Sequence, residues 1–191
     1  EIDPRHPGAL HYLVHAYDDP VHAPLGLRAA RRYGKVAPAA AHAQHMPSHI
    51  FFALGMWDDA IEANVASLAT ARSQGQGGYH ALEWLAYAYL QQGMREDAAK
   101  LVQSVADDVA GKPTQGNRTT LAYARAMWLV ETGSADPTGW ADVDETGIKS
   151  IYAFSAYDFA RGVVAARSGD VSAAEAQARR LQARSEAARA N

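Results

Sequence analysis

The sequence contains no cysteine. A disulfide scaffold, a thiolate metal site and a thiol nucleophile are therefore excluded. An excess of charge of one sign is also missing, because 18 Lys and Arg oppose 21 Asp and Glu in 191 residues, for a formal net charge of −3. A nucleic-acid partner normally requires a basic face. This charge balance therefore argues against nucleic-acid binding.

Long apolar runs are missing too. The run at residues 50–54 is one of the longest, and it is far shorter than the roughly 20 residues that cross a bilayer. No signal peptide is visible, and the first residue is Glu1 rather than Met. The sequence predicts no membrane span and leaves a cytoplasmic and a periplasmic location open.

Alanine, by contrast, is abundant. The chain contains 41 alanines, about a fifth of all residues, which is the composition of a helix-forming sequence. Apolar residues also recur at helical spacing, as in the stripe formed by Leu82, Leu85, Ala86 and Tyr89. No alternating run is long enough to predict a strand. We therefore expect an all-α protein.

Glycine and proline divide this pattern into segments of helical length. We predict about nine helices, near residues 8–18, 21–36, 39–54, 57–74, 79–92, 95–110, 118–132, 149–168 and 171–189. Between the seventh and eighth of them, we expect a turn and a short helical piece anchored by Trp140. Short connections between helices of this length predict an antiparallel helix-hairpin stack.

Four glycines recur at a nearly constant interval. Gly55, Gly93, Gly133 and Gly169 are 38, 40 and 36 residues apart, and three of them are followed by Ala five residues later. A period in the thirties with helix–turn–helix content indicates an α-solenoid. Glycine tolerates the positive φ that often ends a helix, and the small alanine lets the next helix lie close.

Residues 85–98, with a helix, a Gly93 turn and a second helix opening on Ala98, resemble the tetratricopeptide-repeat family. Residues 52–60 and 159–174 resemble the same unit, so that the resemblance covers about residues 40–190. It implies a single helical-repeat domain. The predicted divisions are His-rich N-terminal helices at 1–56, and repeats with a C-terminal capping helix at 57–191. We expect Arg179, Arg180 and Arg184 on the polar outer face of that cap.

Residues 6–18 and 42–50 resemble a bacterial subgroup of long tetratricopeptide-repeat proteins. Members of that subgroup are longer than this chain. The resemblance therefore implies a C-terminal part of a longer protein, with further repeats upstream, and it brings no established activity with it.

Histidine is concentrated near the N-terminus, where seven of the eight lie within the first 49 residues. His11 and His15 are four residues apart on a predicted helix, so that their rings project from one face. His45 and His49 have the same spacing, and His42 precedes His45 by three residues. Two helices that each carry such a pair could face each other.

A metal ion between these helices is the sharpest hypothesis that the histidines support. The predicted ligands are His11, His15, His45 and His49, with Asp18, His42 and His6 as alternative ligands or as residues that orient a ligand. Imidazole without thiolate suits Zn²⁺, Ni²⁺ or Cu²⁺. Because His42 and His49 are roughly 10 Å apart along a helix axis, one helix cannot easily offer all three of its histidines to one ion.

Pro47 leaves the geometry of the second pair open. Inside a helix it removes one backbone hydrogen bond and kinks the path. At the first turn of a new helix, near 47–54, it leaves His45 in a loop. In that second case the spacing argument for His45 and His49 fails.

Two alternatives to a metal site use the same residues. One is a hydrogen-bond network in which the histidine rings bridge neighbouring helices. The other is a set of surface histidines, or a pH-sensitive contact. His22 is predicted to lie in a turn between two prolines, and the isolated His80 is given no role.

Sequence motifs do not favour an enzyme. The metalloprotease pattern H-E-x-x-H is missing, since Tyr12 and Met46 stand where the glutamate is required. Ser48 lacks the nucleophile-elbow glycines, and residues 75–78 lack the lysine of a phosphate-binding loop. A hydrolase would need a general base from elsewhere. The candidates are Asp18, Glu62 and Glu83.

Aromatic residues and arginines mark a weaker candidate surface for a peptide or protein partner, because both residue types are effective at interfaces. The candidates are Tyr12, Tyr17, Trp84, Tyr87, Arg28 and Arg32. The sequence thus favours a binding or scaffold module of tetratricopeptide-repeat type, with a His-lined pocket near its N-terminal end that is a candidate metal site. The alternative is a metal-dependent, hydrolase-like enzyme with further parts upstream.

Overall fold

A computed structural model of the chain describes residues 3–134, 143–146 and 150–189. Within these ranges all regular structure is helical, which confirms the all-α prediction. The helices are α1 Pro7–Ala16, α2 Ala23–Val36, α3 Ala41–His45, α4 Pro47–Ala53, α5 Trp57–Ser73, α6 Tyr79–Gln91, α7 Arg95–Gly111, α8 Gln115–Thr132, α9 Ile151–Arg167 and α10 Val171–Arg189. The short helical piece predicted at Trp140 lies outside the described residues.

Helices α3 and α4 together replace the helix predicted at 39–54. Met46 alone separates them, and it keeps the helical dihedral angles φ −52° and ψ −37°. Pro47 is the first residue of α4, where its missing N–H costs little. Counted as one kinked run, α3 and α4 bring the described helices to the predicted nine.

The chain forms two compact units, Glu1–Gln92 and Gly93–Asn191. In the first unit α1 packs on α2, α2 on α4, both α3 and α4 on α5, and α5 on α6. In the second unit α7 packs on α8, α8 on α9, and α9 on α10. Packed consecutive helices with short connections are antiparallel hairpins, as expected. The single domain expected from the sequence stays a prediction.

All four periodic glycines lie at helix ends with a left-handed backbone. The φ angles of Gly55, Gly93, Gly133 and Gly169 are 68°, 72°, 64° and 80°. Residues other than glycine rarely adopt this backbone conformation. The turns predicted at these positions are therefore confirmed.

Small residues let the helices of the first unit approach closely. Ala60, five residues after Gly55, is completely buried in the core of this unit. A Cβ atom at Gly26 of α2 would lie only 2.8 Å from Cδ1 of Ile50 in α4, so any larger residue there would push the two helices apart. This close packing holds α3 and α4, which carry three histidines, against the rest of the unit.

The sequence predicts that the arginines of the C-terminal helix lie on its outer face, but the structure places one of them, Arg184, differently. Arg180 and Arg184 bond through Nε to the two carboxylate oxygens of Asp158, at 2.9 and 2.7 Å. Asp158 lies on α9 and is fully buried. A buried carboxylate requires such partners. Arg184 turns inward to meet it, with 22% of its side chain exposed, whereas Arg180 stays exposed, as expected, and reaches Asp158 from the surface.

Of the helices in the described part of the chain, none is both long and apolar enough to cross a membrane.

The left-handed backbone at Gly93 can be tested directly by substitution. No other atom lies within 4 Å of the place where a Cβ at Gly93 would stand, so that Gly93→Ala tests the backbone alone. We expect this change to lower the free energy of unfolding by about 1 kcal/mol, the usual cost of a left-handed non-glycine residue. Urea unfolding followed by circular dichroism measures it.

Gly111→Ala is the matched control, because Gly111 ends α7 without a positive φ and also has open space around it. This change should leave stability unchanged or raise it by up to about 1 kcal/mol. Equal losses of stability in both variants would show that the Gly93 turn does not depend on the left-handed conformation.

Candidate metal centre

Six of the eight histidines form two groups of three in the first unit. His11, His15 and His42 are the first triad, and His45, His49 and His80 are the second triad. In each triad one ring nitrogen from every histidine lies within 4.8 Å of the other two. Among the described residues, these are the groups whose ligand atoms are arranged to share an ion.

The first triad brings together two helices. Helix α1 places His11 and His15 one turn apart, and α3 supplies His42. The Nε2 atom of His11 lies 3.0 Å from that of His15 and 3.1 Å from that of His42. A ring nitrogen has either one hydrogen or one lone pair, so His11 cannot make a good linear bond to both neighbours. One ion satisfies all three, since ligands of a tetrahedral zinc ion are about 3.3 Å apart.

The second triad crosses the α3–α4 junction. His45 ends α3 and His49 lies on α4, yet the Nε2 atoms of the two rings are only 3.1 Å apart. The helical dihedral angles of Met46 preserve the one-turn spacing across Pro47. Of the two alternatives left open at Pro47, the structure has the new helix that starts there, and the pair still keeps its one-turn spacing.

Hydrogen bonds on the outer nitrogens fix the tautomers of this pair. Nδ1 of His45 donates to Oδ1 of Asn64 at 2.6 Å, and Asn64 in turn donates to the carbonyl of Ala60 at 2.8 Å. Nδ1 of His49 donates to Oδ2 of Asp18 at 2.7 Å. In the neutral rings both Nε2 atoms are thereby left with a lone pair. Carboxylate and amide oxygens commonly orient metal-bound imidazoles in this way.

Two lone pairs that face each other at 3.1 Å repel, because each is a centre of negative charge. Either a proton or a metal ion between the Nε2 atoms of His45 and His49 converts the repulsion into attraction. Burial, which removes water from the ring, lowers the pKa of His45 to about 3. A proton therefore resides poorly on His45 at neutral pH, and this ring is available as a ligand.

Loss of hydration also lowers the pKa of His11, His42 and His80 from the usual value. Repulsion from a neighbouring imidazole adds to the effect, from His15 on His11, from His11 on His42 and from His49 on His80. Neutral imidazole is the form that binds metals. The cluster thus favours the protonation state that ligation requires.

His80 and Asn64 are the residues that sequence reasoning missed. The His80 ring lies 4.4 Å from the His45 ring, centroid to centroid. His80 follows His42 by 38 residues, the same interval that separates Gly55 from Gly93. Both histidines lie 13 residues before one of these glycines, and this signal could have identified His80. Asn64 is buried on α5, and only its polarity on an apolar face could have revealed it.

The structure revises the predicted grouping of ligands. It does not gather His11, His15, His45 and His49 into one group within 4.8 Å, but assigns each pair to its own triad. His42 completes the first triad, and Asp18 orients His49. His6 instead caps α1, where its Nδ1 accepts the N–H of Ala9.

The residues of the predicted binding surface fall in separate places. Trp84 lies against the second triad, with its ring 4.4 Å from that of His49. Phe52 links it to Tyr87 in one aromatic row, at 4.9 and 5.8 Å. The exposed Tyr12 neighbours His11 at 5.7 Å. A cavity of about 280 Å³ is lined by others of the set, Tyr17, Arg28 and Arg32.

No protein-family model matches the chain, and neither a curated protein nor a solved structure is significantly similar to it. The resemblance to tetratricopeptide repeats stays a prediction.

The lowered pKa of His45 predicts a pH dependence of the metal-free protein. Below pH 6.5 the unfolded state binds a proton that the folded His45 does not, so stability is complete above 6.5 and falls as the pH drops towards 3. One such proton contributes a slope of about 1.4 kcal/mol per pH unit. Urea unfolding with a chelator, between pH 7 and 5, measures the slope.

His45→Gln, which keeps a side-chain donor for Asn64, should reduce this slope by about one proton's worth. His22→Gln is the control, because His22 lies outside the triads and bonds to Asp19; it should retain the wild-type slope. An unchanged slope in His45→Gln would mean that the buried ring does not titrate as described.

Proposed function

We propose that this chain is a metal-binding module of tetratricopeptide-repeat type whose histidine triads bind divalent transition metals. The observation that carries the proposal is the pair of Nε2 atoms of His45 and His49, 3.1 Å apart, with both Nδ1 atoms engaged elsewhere. A cation between them removes the repulsion of their lone pairs.

The donor set restricts the metal. Both triads consist of imidazole nitrogens, and no thiolate is available because the sequence has no cysteine. Calcium and magnesium prefer oxygen ligands, whereas Zn²⁺, Ni²⁺ and Cu²⁺ accept imidazole well. These three ions are therefore the proposed cargo or cofactor.

The helical hairpins with their periodic glycine turns support the repeat-type scaffold, and such stacks use aromatic and cationic side chains to bind partners. Arg28 and Arg32 line one cavity together with Tyr17. Arginine and aromatic side chains are effective anchors at interfaces, so the proposed partner is a peptide or protein segment.

Metal analysis of protein purified without a His tag tests the metal proposal. We expect wild type dialysed against dilute Zn²⁺ to retain the ion, and His11→Ala and His45→Ala each to lose it from the triad affected. Asp18→Asn should weaken binding roughly 10- to 100-fold, because it removes the carboxylate that orients His49. Elemental analysis and competition with a chromogenic chelator measure both effects.

Asp19→Asn and His22→Ala are matched controls, since these neighbours bond to each other outside the triads. Both should bind metal like wild type. If wild type, His11→Ala and His45→Ala all hold the same negligible amount of metal, the histidine rings serve a hydrogen-bond network and the metal proposal is rejected.

A metal-dependent hydrolase is the second candidate, and one observation favours it. Each triad supplies three nitrogens, so a tetrahedral ion keeps a fourth position for water, as catalytic zinc sites do. A metal ion lowers the pKa of such a water to near 7 and makes it nucleophilic. Of the predicted bases, Asp18 already bonds His49, while Glu62 lines another cavity.

Hydrolysis of 4-nitrophenyl acetate and 4-nitrophenyl phosphate by the zinc-loaded protein tests this candidate. If it is correct, the rate rises with bound zinc, disappears with a chelator and falls in His15→Ala in proportion to the metal lost, while Arg28→Ala keeps it. A rate that is the same with and without zinc would reject the hydrolase. Peptide binding that a chelator leaves unchanged would support the scaffold instead.

A further inference from the structure

The two triads are immediate neighbours. The ring centroids of His15 and His49 are 6.3 Å apart, and those of His42 and His45 are 6.4 Å apart. Ring separations within the triads range from 4.4 Å to the 6.4 Å between His49 and His80. The step from one triad to the next is therefore no longer than the largest separation inside a triad, and two pairs of rings make it.

Two rows of histidines explain this closeness. On α1, His11 and His15 lie one turn apart on one face, and Asp18 follows His15 by three residues, just beyond the end of the helix at Ala16. On the α3–α4 run, His42, His45 and His49 also follow one another at intervals of about one helical turn. The rows meet at His11 with His42, whose centroids are 5.1 Å apart, and at Asp18 with His49, which form a hydrogen bond.

Asp18 couples the triads mechanically. It lies one turn beyond His15, a ligand of the first triad, and its carboxylate holds His49 of the second triad at 2.7 Å. The C-terminal end of α1 thus carries His15 of the first triad, and the residues just after it place the carboxylate that orients His49 of the second. A displacement of that helix end would alter the two groups together.

We propose that the two triads form one dinuclear centre, with one divalent transition-metal ion in each triad and a small oxygen anion bridging the two ions. This inference rests on the proposed metal binding and deepens it. The bridging ligand is a hydroxide or an oxyanion of the phosphate class.

Charge requires the bridge. Two divalent ions bring four positive charges, the six imidazoles bring none, and Asp18 supplies one negative charge through His49. An anion between the ions reduces their mutual repulsion, which is large at short range away from bulk water. His15 and His42 are exposed, so that a small anion reaches the centre from solvent.

A dinuclear centre of this kind holds and polarises a bridging oxygen from both sides. In two-metal sites the ions are about 3.5–4 Å apart and clamp the oxygens of a phosphoryl group. The aromatic face of Trp84 against His49 adds an apolar wall on the side of the second triad. The centre therefore suits a small oxyanion, or the oxyanion end of a ligand with an apolar group.

Metal stoichiometry and electron paramagnetic resonance of the copper-loaded full chain test the inference. We expect two Cu²⁺ ions per wild-type chain, with a signal that accounts for much less than the total copper because the two spins couple through the bridge. His15→Ala and His80→Ala, both at exposed positions, should each bind one ion whose signal accounts for all of the copper. Inorganic phosphate should change the wild-type spectrum and leave both variants unchanged.

Three results would overturn the inference, and they separate it from the proposed function. Two ions with full, uncoupled signals mean two independent mononuclear sites. One ion per wild-type chain, weakened by His15→Ala or by His80→Ala alone, leaves metal binding intact and removes the dinuclear centre. No bound ion in wild type rejects the proposed function itself. Circular dichroism of the metal-free variants, with His22→Ala as control, establishes that each is folded.

Discussion

One electrostatic constraint dominates the histidine cluster, namely the approach of two imidazole lone pairs in the second triad. Asn64 and Asp18 take the Nδ1 hydrogens of His45 and His49, so that their Nε2 atoms meet at 3.1 Å with nothing of opposite charge supplied by the protein. A cation between the neutral rings, either a proton or a metal ion, removes this repulsion. Burial disfavours a proton on His45, and a metal ion with imidazole ligands resolves the conflict.

Backbone geometry creates this constraint. Pro47 ends the hydrogen-bond ladder of α3, but Met46 stays helical, so the histidine face continues from α3 into α4. The close contact of α2 and α4 at Gly26 and Ile50 holds that run in place. Helix α6 then brings His80 to the rings of His45 and His49, and α1 brings His11 and His15 to the ring of His42. Each triad is therefore assembled from separate helices, and neither exists before the first unit folds.

The sequence predicted the parts that depend on local chemistry. Periodicity and glycine spacing placed the helices and the turn at Gly93, and one-turn spacing identified the pairs His11/His15 and His45/His49. It could not assign partners to these pairs, because the packing of distant helices decides which ring meets which. His80 was missed for that reason, although its interval of 38 residues from His42 was visible. The inward turn of Arg184 was likewise invisible without knowledge of the buried Asp158.

Crystals of the zinc-loaded protein, measured on both sides of the zinc absorption edge, test the central claim most directly. We expect one anomalous peak in each triad, about 2.0–2.1 Å from the ligating ring nitrogens, with density for a bridging oxygen between the peaks. Crystals grown with zinc in which neither triad shows a peak, and in which the Nε2 atoms of His45 and His49 still face each other, would contradict it.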